Sequence, residues 1–183
     1  KEFSELAELL YPNCLDTAFY FNKYQPRNVQ GEVTRIAPSP TGYLHIGGLF
    51  QCVTHQMLTK TPSSVFYLRI EDTDQKREVE NGILQIVDSL KEFDLMLHEG
   101  MLNENDSFGD YGPYKQSERK EIYEAYAKYM IEQGKAYPCF CTPEDGEEIR
   151  QKQETAKIRP GYYGVWAKCR NLTVEEMAEK IKN

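Results

Sequence analysis

One stretch constrains this chain more than any other. A strand-like run, Glu32-Val33-Thr34-Arg35-Ile36-Ala37, opens into Pro38–Gly48, where two prolines and three glycines fall within eleven residues, and a helical segment follows from about Gly48 to Lys60. A strand that runs into a glycine-rich loop and then a helix start presents backbone N–H groups and the positive end of a helix dipole to one point in space, which is a ready site for an anion. A second strand is predicted over Ser64–Ile70, a β-branched and aromatic run. After it, Val79, Ile83, Ile86, Val87, Leu90 and Phe93 recur at helical spacing. Strand, helix, strand, helix with crossover lengths predicts an α/β fold with a parallel sheet and packed helices.

The flanks are less constrained. Leu6, Leu9 and Leu10 predict a short amphipathic helix before Pro12-Asn13, and Asn22–Gly31 reads as a polar leader. Met101–Asp110, rich in Asn, Asp and Gly, reads as a surface insertion. Ser117 is a predicted N-cap for a helix with the apolar stripe Ile122, Tyr126, Tyr129 and Met130, closed by Gly134. Tyr137–Cys141 reads as a short strand. Thr142-Pro143-Glu144-Asp145 predicts a capped helix start, and Thr173 with Glu176 a capping box. A start at Lys1 and an end at Asn183 in mid-pattern are read as cuts in a longer protein, which should leave an open sheet edge and an apolar face.

Charge and composition narrow the function classes. The chain carries a net charge of −7 over 183 residues, with a pI near 5.1, which argues against general nucleic-acid binding. The charge is uneven, however. Glu71–Glu118 holds thirteen acids against four bases, whereas Arg150–Arg170 holds six bases against Glu154 alone, with Tyr162, Tyr163 and Trp166 interleaved. A local basic stretch with aromatics suits a phosphate-bearing partner, and a solvated helix face is the plain alternative. No apolar run reaches the ~18 residues of a membrane span. The first thirty residues carry Glu2, Glu5, Glu8 and Asp16 and resemble no signal or transit peptide. Five cysteines without such a leader fit a reducing compartment, so a cytoplasmic protein is expected.

Two segments carry chemistry. In the loop, Gly42 and Gly47 have Walker spacing, but Gly48-Leu49 stands where Lys-Ser/Thr is required, and no Gly-x-Gly-x-x-Gly is present. His45 instead supplies a side-chain donor next to small residues, an arrangement suited to a nucleotide lying against backbone. The second segment, Arg69-Ile70-Glu71-Asp72-Thr73-Asp74, lies at the carboxyl end of the second strand, the edge where open α/β sheets bind ligands. Its three carboxylates repel one another unless a positive group sits among them. Mg²⁺, a ligand ammonium, or Arg35 and Arg69 would serve; a cluster facing water is the remaining alternative.

Arg35-Ile-Ala-Pro-Ser-Pro-Thr-Gly-Tyr-Leu-His-Ile-Gly-Gly48, followed by Arg69-Ile-Glu-Asp-Thr-Asp74, resembles the bacterial glutamyl-tRNA synthetases, a family of class I aminoacyl-tRNA synthetases. Gly112-Pro-Tyr-Lys-Gln-Ser-Glu-Arg119 and Ala136-Tyr-Pro-Cys-Phe-Cys141 resemble later family segments, so the likeness runs from about Val33 to Arg170. It implies the first half of a Rossmann-like catalytic domain over residues 31–137, with an insertion near 101–110. It further implies the start of the tRNA acceptor-binding subdomain over 138–183, and residues 1–30 then stand as an extension ahead of the family's usual start. The implied activity is ATP-dependent formation of glutamyl-adenylate and transfer to the acceptor end of tRNA(Glu), with L-glutamate, ATP and Mg²⁺ as reactants, no membrane, and a usually monomeric enzyme. By the same resemblance, Arg35, Ser39 and Glu71 hold glutamate, with Arg35 on its side-chain carboxylate and Glu71 facing its α-amino group. Thr41, Gly42, His45, Gly47 and Gly48 hold ATP, and His45, Gly47 and Gly48 act on the developing phosphorus charge.

This sequence departs from the family pattern in places. The second class I signature, a lysine-serine loop, is absent, so the chain alone is expected to be inactive. Cys139, Cys141 and Cys169 resemble the zinc knuckle of some family members, but Asn171 stands where a histidine is expected. Tyr162 or Tyr163 is the substitute, Tyr163 being the one adopted here, and zinc stands beside three free thiols as the alternative. The glutamyl-Q-tRNA(Asp) synthetase paralogue and a non-catalytic tRNA-binding fragment are the competing functional readings.

Overall fold

The computed structural model describes residues 2–182. Its helices are α1 (Glu2–Leu10), α2 (Thr17–Lys23), α3 (Ile46–Leu58), α4 (Gly82–Glu92), α5 (Lys120–Glu132), α6 (Pro143–Thr155) and α7 (Val174–Lys182); its strands are β1 (Val33–Ile36), β2 (Val65–Leu68), β3 (Glu99–Met101) and β4 (Ser107–Phe108). They gather into two compact units, Tyr20–Glu121 on one hand and Lys1–Phe19 with Ile122–Asn183 on the other. The segments expected from the family likeness divide at 30/31 and 137/138 instead.

In Tyr20–Glu121 the sheet runs in the order β1-β2-β3-β4. β1 pairs with β2 in parallel, Val33 opposite Val65 and Ile36 opposite Leu68, and β2 pairs with β3 in parallel, Tyr67 opposite Glu99. Helices α3 and α4 make the two crossovers, as parallel pairing requires. Phe66 and Leu68 on β2, and Ile70 two residues further along, are wholly buried. On α4, Ile83, Ile86, Val87 and Leu90 fall at i, i+3, i+4 and i+7 and close the same core. Val79 and Phe93, predicted on that stripe, lie beyond the helix ends and are exposed. The outer edge of β1 has no strand partner among the described residues. Beside it, α3 turns Leu49 and Cys52 inward and leaves Ile46, Phe50, Val53 and Met57 exposed.

One expectation for this unit changes, at Ser117. Met101–Asp110 is a largely exposed stretch that carries the β3–β4 antiparallel hairpin, with Gly100 opposite Phe108. The hairpin's Glu104 carboxylate accepts from the Ile83 (2.9 Å) and Leu84 (3.3 Å) N–H groups, so it caps α4 with a negative charge where the helix dipole favours one. Ser117 is not the N-cap of α5; its hydroxyl and N–H both donate to Asp72, and a 3-10 turn over Ser117–Arg119 leads into the helix. The polar leader is likewise engaged. Arg27 grips Glu99 with both terminal nitrogens, its plane lying 3.6 Å from the Tyr111 ring centre, and Tyr114 donates to the same carboxylate at 2.7 Å.

In the other unit, Leu6, Ala7, Ile131 and Met177 form a small core that joins α1, α5 and α7. The buried face of α5 is Ala125 and Ile131. The predicted stripe was misassigned, since Tyr126, Tyr129 and Met130 are exposed. Gly134, at φ +64°, follows α5 as a left-handed stop. Thr142 and Asp145 exchange side-chain and backbone bonds in a full capping box with Pro143 at the first position, and Thr173 with Glu176 repeats the exchange. Tyr137–Cys141, predicted as a short strand, has no regular secondary structure and joins no sheet.

The Arg27–Glu99 pair makes acid stability testable. Burial works to raise the Glu99 carboxyl, but the bonds from Arg27 and Tyr114 outweigh it and hold the group below the usual carboxylate range. Its contribution is therefore complete above the unfolded value, about 4.3, and is lost as pH falls through the lower folded value. Urea midpoints followed from roughly pH 6 to pH 3 should fall more steeply for the parent than for Glu99→Gln. Parallel curves would mean that Glu99 carries no such linkage.

Candidate active site

The site grows from the carboxyl ends of β1 and β2. The Arg69 N–H donates to Ile36 O (3.1 Å) and the Glu71 N–H to Pro38 O (2.9 Å), so the parallel pairing runs past both strands and brings the glycine loop against the carboxylate segment. Within the loop, the Thr41 N–H turns back to Ser39 O, and Gly42 adopts φ +117°, a conformation that L side chains rarely take. His45 is the N-cap of α3. Its Nδ1 accepts from the Gly47 N–H at 3.0 Å, doing with an imidazole what Ser or Asp does at most helix starts. With Nδ1 as acceptor, the neutral ring carries its proton on Nε2, which leaves that N–H as a donor. A Cβ on Gly47 would come within 2.8 Å of the His45 ring, so glycine there lets the cap form.

These elements surround a cavity of about 480 Å³ whose lining includes Arg35, Ser39, Thr41, Gly42, His45 and Gly48, together with Gln51 and Arg77. Of the residues predicted from sequence, Gly47 lies off the lining and serves the cap, and Glu71 reaches the cavity through Arg35. The Glu71 carboxylate accepts from Arg35 (3.2 Å) and from Arg69 (2.9 Å and 3.2 Å). Asp72 accepts from Ser117, and Asp74 pairs with Arg77 at 2.6 Å. The chain's own groups thus answer the repulsion posed by three carboxylates in four residues. Sequence reading missed Arg77 and Ser117. The i,i+3 spacing of Arg77 from Asp74 was a usable signal; nothing local marked Ser117, 45 residues from its partner. The cavity combines two arginines, a histidine donor and a helix N-terminus, a lining suited to phosphate beside a carboxylate.

A second cluster lies in the unit containing α6. The sulfurs of Cys139, Cys141 and Cys169 all lie within 4.8 Å of one another. The Tyr162 hydroxyl is 3.4 Å from Cys139 Sγ and 3.6 Å from Cys141 Sγ, and Cys141 and Cys169 are 3.7 Å apart. Tyr163, the tyrosine adopted from sequence, is the wrong one. Its hydroxyl donates to Arg159 O at 2.5 Å. A tetrahedral zinc ion with Zn–S of about 2.3 Å and Zn–O of about 2.0 Å has edges of about 3.8 Å (S to S) and 3.5 Å (S to O), which the Cys141–Cys169 separation and the two from Tyr162 match. Burial tends to raise the Cys169 thiol, but the Phe140 N–H and the Tyr162 hydroxyl prevail and hold it below the usual range.

The basic stretch is weaker than its composition suggests. Arg150 pairs with Glu147 (2.7 Å) and Glu154 (2.5 Å), and Lys152 with Glu148, two of these acids lying just ahead of the window. Lys157, Arg159, Lys168 and Arg170 are the exposed bases outside those pairs.

Against known proteins, the family model described as tRNA synthetases class I (E and Q), catalytic domain, matches residues 32–183. The chain is 47% identical over 184 residues to the glutamate–tRNA ligase of Clostridium beijerinckii, covering 99% of this chain and 33% of that protein. It is 44% identical to the Acetivibrio thermocellus glutamate–tRNA ligase, with 100% and 34% covered. It therefore spans about a third of the length of these relatives. Among solved structures, a glutamate tRNA ligase from Elizabethkingia meningosepticum in complex with its amino acid superposes with a TM-score of 0.60 at 35% identity, covering 70% of this chain and 25% of that one.

The Gly42 geometry yields a direct test. The nearest atom to an added Cβ is 3.7 Å away, so Gly42→Ala meets no clash and its cost is torsional. A loss of about 1–3 kcal/mol in denaturant stability is expected; an unchanged midpoint would mean that the loop relaxes to a different turn.

Proposed function

Because the chain belongs to the class I tRNA synthetases for glutamate and glutamine, in their catalytic domain, we propose that it supplies the amino-acid and nucleotide site of an enzyme that activates L-glutamate with ATP and charges the acceptor end of tRNA(Glu). The observation that carries this reading is the Arg35–Glu71 ion pair at the mouth of the histidine–glycine cavity. Glutamate brings a side-chain carboxylate and an α-ammonium, the two charges this pair already holds. On binding, the Arg35 fork takes the side-chain carboxylate, Glu71 takes the ammonium, and Ser39 adds a neutral bond. Each partner exchanges one opposite charge for another, and Arg69 remains on Glu71 throughout.

The nucleotide lies along Thr41, Gly42 and Gly48, with its phosphates toward the His45 Nε2–H and Arg77. Mg²⁺ bound with the phosphates would supply neutralisation of their charge. The substrate α-carboxylate attacks the α-phosphorus, pyrophosphate leaves, and no protein nucleophile is required. The work of these residues is alignment and stabilisation of charge on the phosphoryl oxygens. In the other unit, Cys139, Cys141, Cys169 and Tyr162 hold zinc as a closed structural site that ties 139–141 to 162–169 and contributes folding energy. The exposed bases from Lys157 to Arg170 face the RNA backbone. Five free thiols suit a reducing cytoplasm.

Two experiments test this reading on the full-length protein. Calorimetry with a non-hydrolysable glutamyl-adenylate analogue should show tighter binding than the glutaminyl or aspartyl analogues. Arg35→Ala or Glu71→Ala should weaken it about 10- to 100-fold, the worth of one charged hydrogen bond. Mutants that bind like the parent would remove both residues from the site. For the metal, one equivalent of zinc is expected, with chelation lowering the melting temperature. Tyr162→Phe should weaken zinc retention and Tyr163→Phe should not; the reverse order would reassign the ligand.

A further inference from the structure

The segment ahead of β1 is tied to the active site by an unbroken series of bonds. Arg27 holds Glu99 with both terminal nitrogens, at 16% and 12% side-chain exposure, and Tyr114 donates to the same carboxylate at 2.7 Å. Tyr24 donates to Gly112 O at 2.6 Å, and Tyr111 returns a bond to Gln25 O at 2.8 Å. The segment so gripped then runs beside the carboxyl end of β2 as a parallel extension. The Ile70 N–H donates to Tyr114 O at 2.8 Å, the Gln116 N–H to Ile70 O at 2.9 Å, and Lys115 sits opposite Ile70. One residue further on, the Ser117 N–H and hydroxyl fasten Asp72. Glu71 is thus held between two fixed neighbours, Ile70 on one side and Asp72 on the other.

We propose that Arg27 is a positioning residue. Acting through Glu99 and Tyr114, it fixes residues 114–117 against Ile70 and Asp72 and so sets where Glu71 meets the amino-acid substrate. The inference rests on the functional reading above for its substrate, but its mechanical part stands on bonds alone. Residues 24–27 are then a strap that belongs to the active site without touching it. The chemistry fits the task. A bidentate guanidinium–carboxylate pair fixes orientation as well as distance, and stacking on Tyr111 fixes the plane, which a lysine would do neither of. The strap acts on the amino-acid side of the site, because the nucleotide side hangs from the β1 loop and the α3 cap.

The test uses the full-length protein and avoids Arg27→Ala, which leaves Glu99 buried and unpaired and is prone to misfold. Arg27→Lys keeps the charge and loses the fork; Tyr24→Phe removes only the bond to Gly112. Hydrogen exchange needs no substrate. Both variants should lose protection about tenfold or more at the Ile70, Gln116 and Ser117 amides while Val65 in the β1–β2 ladder is unchanged. In steady-state charging, the KM for glutamate should rise about fivefold or more with the KM for ATP unmoved, and Arg27→Lys should add little in a Ser117→Ala background, since both act on one network. Equal protection loss throughout the sheet, no loss at the three amides, or equal shifts in both KM values would overturn the proposal. A parent that charges no glutamate, with the local protection loss still present, would instead overturn the functional reading and leave the strap standing.

Discussion

The Glu71 carboxylate between Arg35 and Arg69 is the interaction on which the rest of the site depends. It exists because two parallel strands end side by side. β1 delivers Arg35 and the glycine loop, β2 delivers Arg69 and Glu71, and the bond from Glu71 N–H to Pro38 O locks the two ends together. Parallel pairing forces a crossover, the crossover is α3, and its N-terminus with the His45 cap therefore opens onto the same edge. One topological choice places the arginine–carboxylate group and a histidine-capped helix start next to each other.

Two ion pairs in this unit show how burial separates holding from binding. Arg35 and Glu71 are 37% and 29% exposed and meet through one bond of 3.2 Å. A pair of that kind is worth about 0–1 kcal/mol, so a substrate opens it at little cost. Arg27 and Glu99 are bidentate and far less exposed. Breaking such a pair by removing one partner costs about 3–5 kcal/mol. The weak pair stands beside the cavity that Arg35 lines, and the strong one ties the segment ahead of β1 to the sheet. Tyr114, whose phenol is pushed well up by burial and by its bond to Glu99, stays protonated and keeps donating across the working range.

Sequence reading recovered what short-range rules govern. The two central strands, the α3 and α4 crossovers, the cap at Thr142 and the capping box at Thr173 follow from alternation, helical spacing and turn residues, whereas the grouping of Arg35, Ser39, Thr41, Gly42 and His45 comes from the family resemblance. It failed where long-range partners decide. Ser117 looks like an N-cap by residue type, but Asp72 claims it. Nothing local marks the Glu104 carboxylate as the cap of a helix twenty residues upstream. On α5, tyrosines at helical spacing mimic a core stripe, while the small Ala125 is what packs. Tyr162 and Tyr163 are chemically equal in sequence, and only the fold brings the Tyr162 hydroxyl to the thiols.

The central claim is that the amino acid displaces the internal pair. Crystal structures of the full-length protein with and without L-glutamate test it most directly. The account predicts that the Arg35 guanidinium leaves Glu71 for the substrate side-chain carboxylate, while Arg69 stays on Glu71 and Glu71 turns to the α-ammonium. An Arg35–Glu71 bond that persists with glutamate bound elsewhere in the cavity would contradict it.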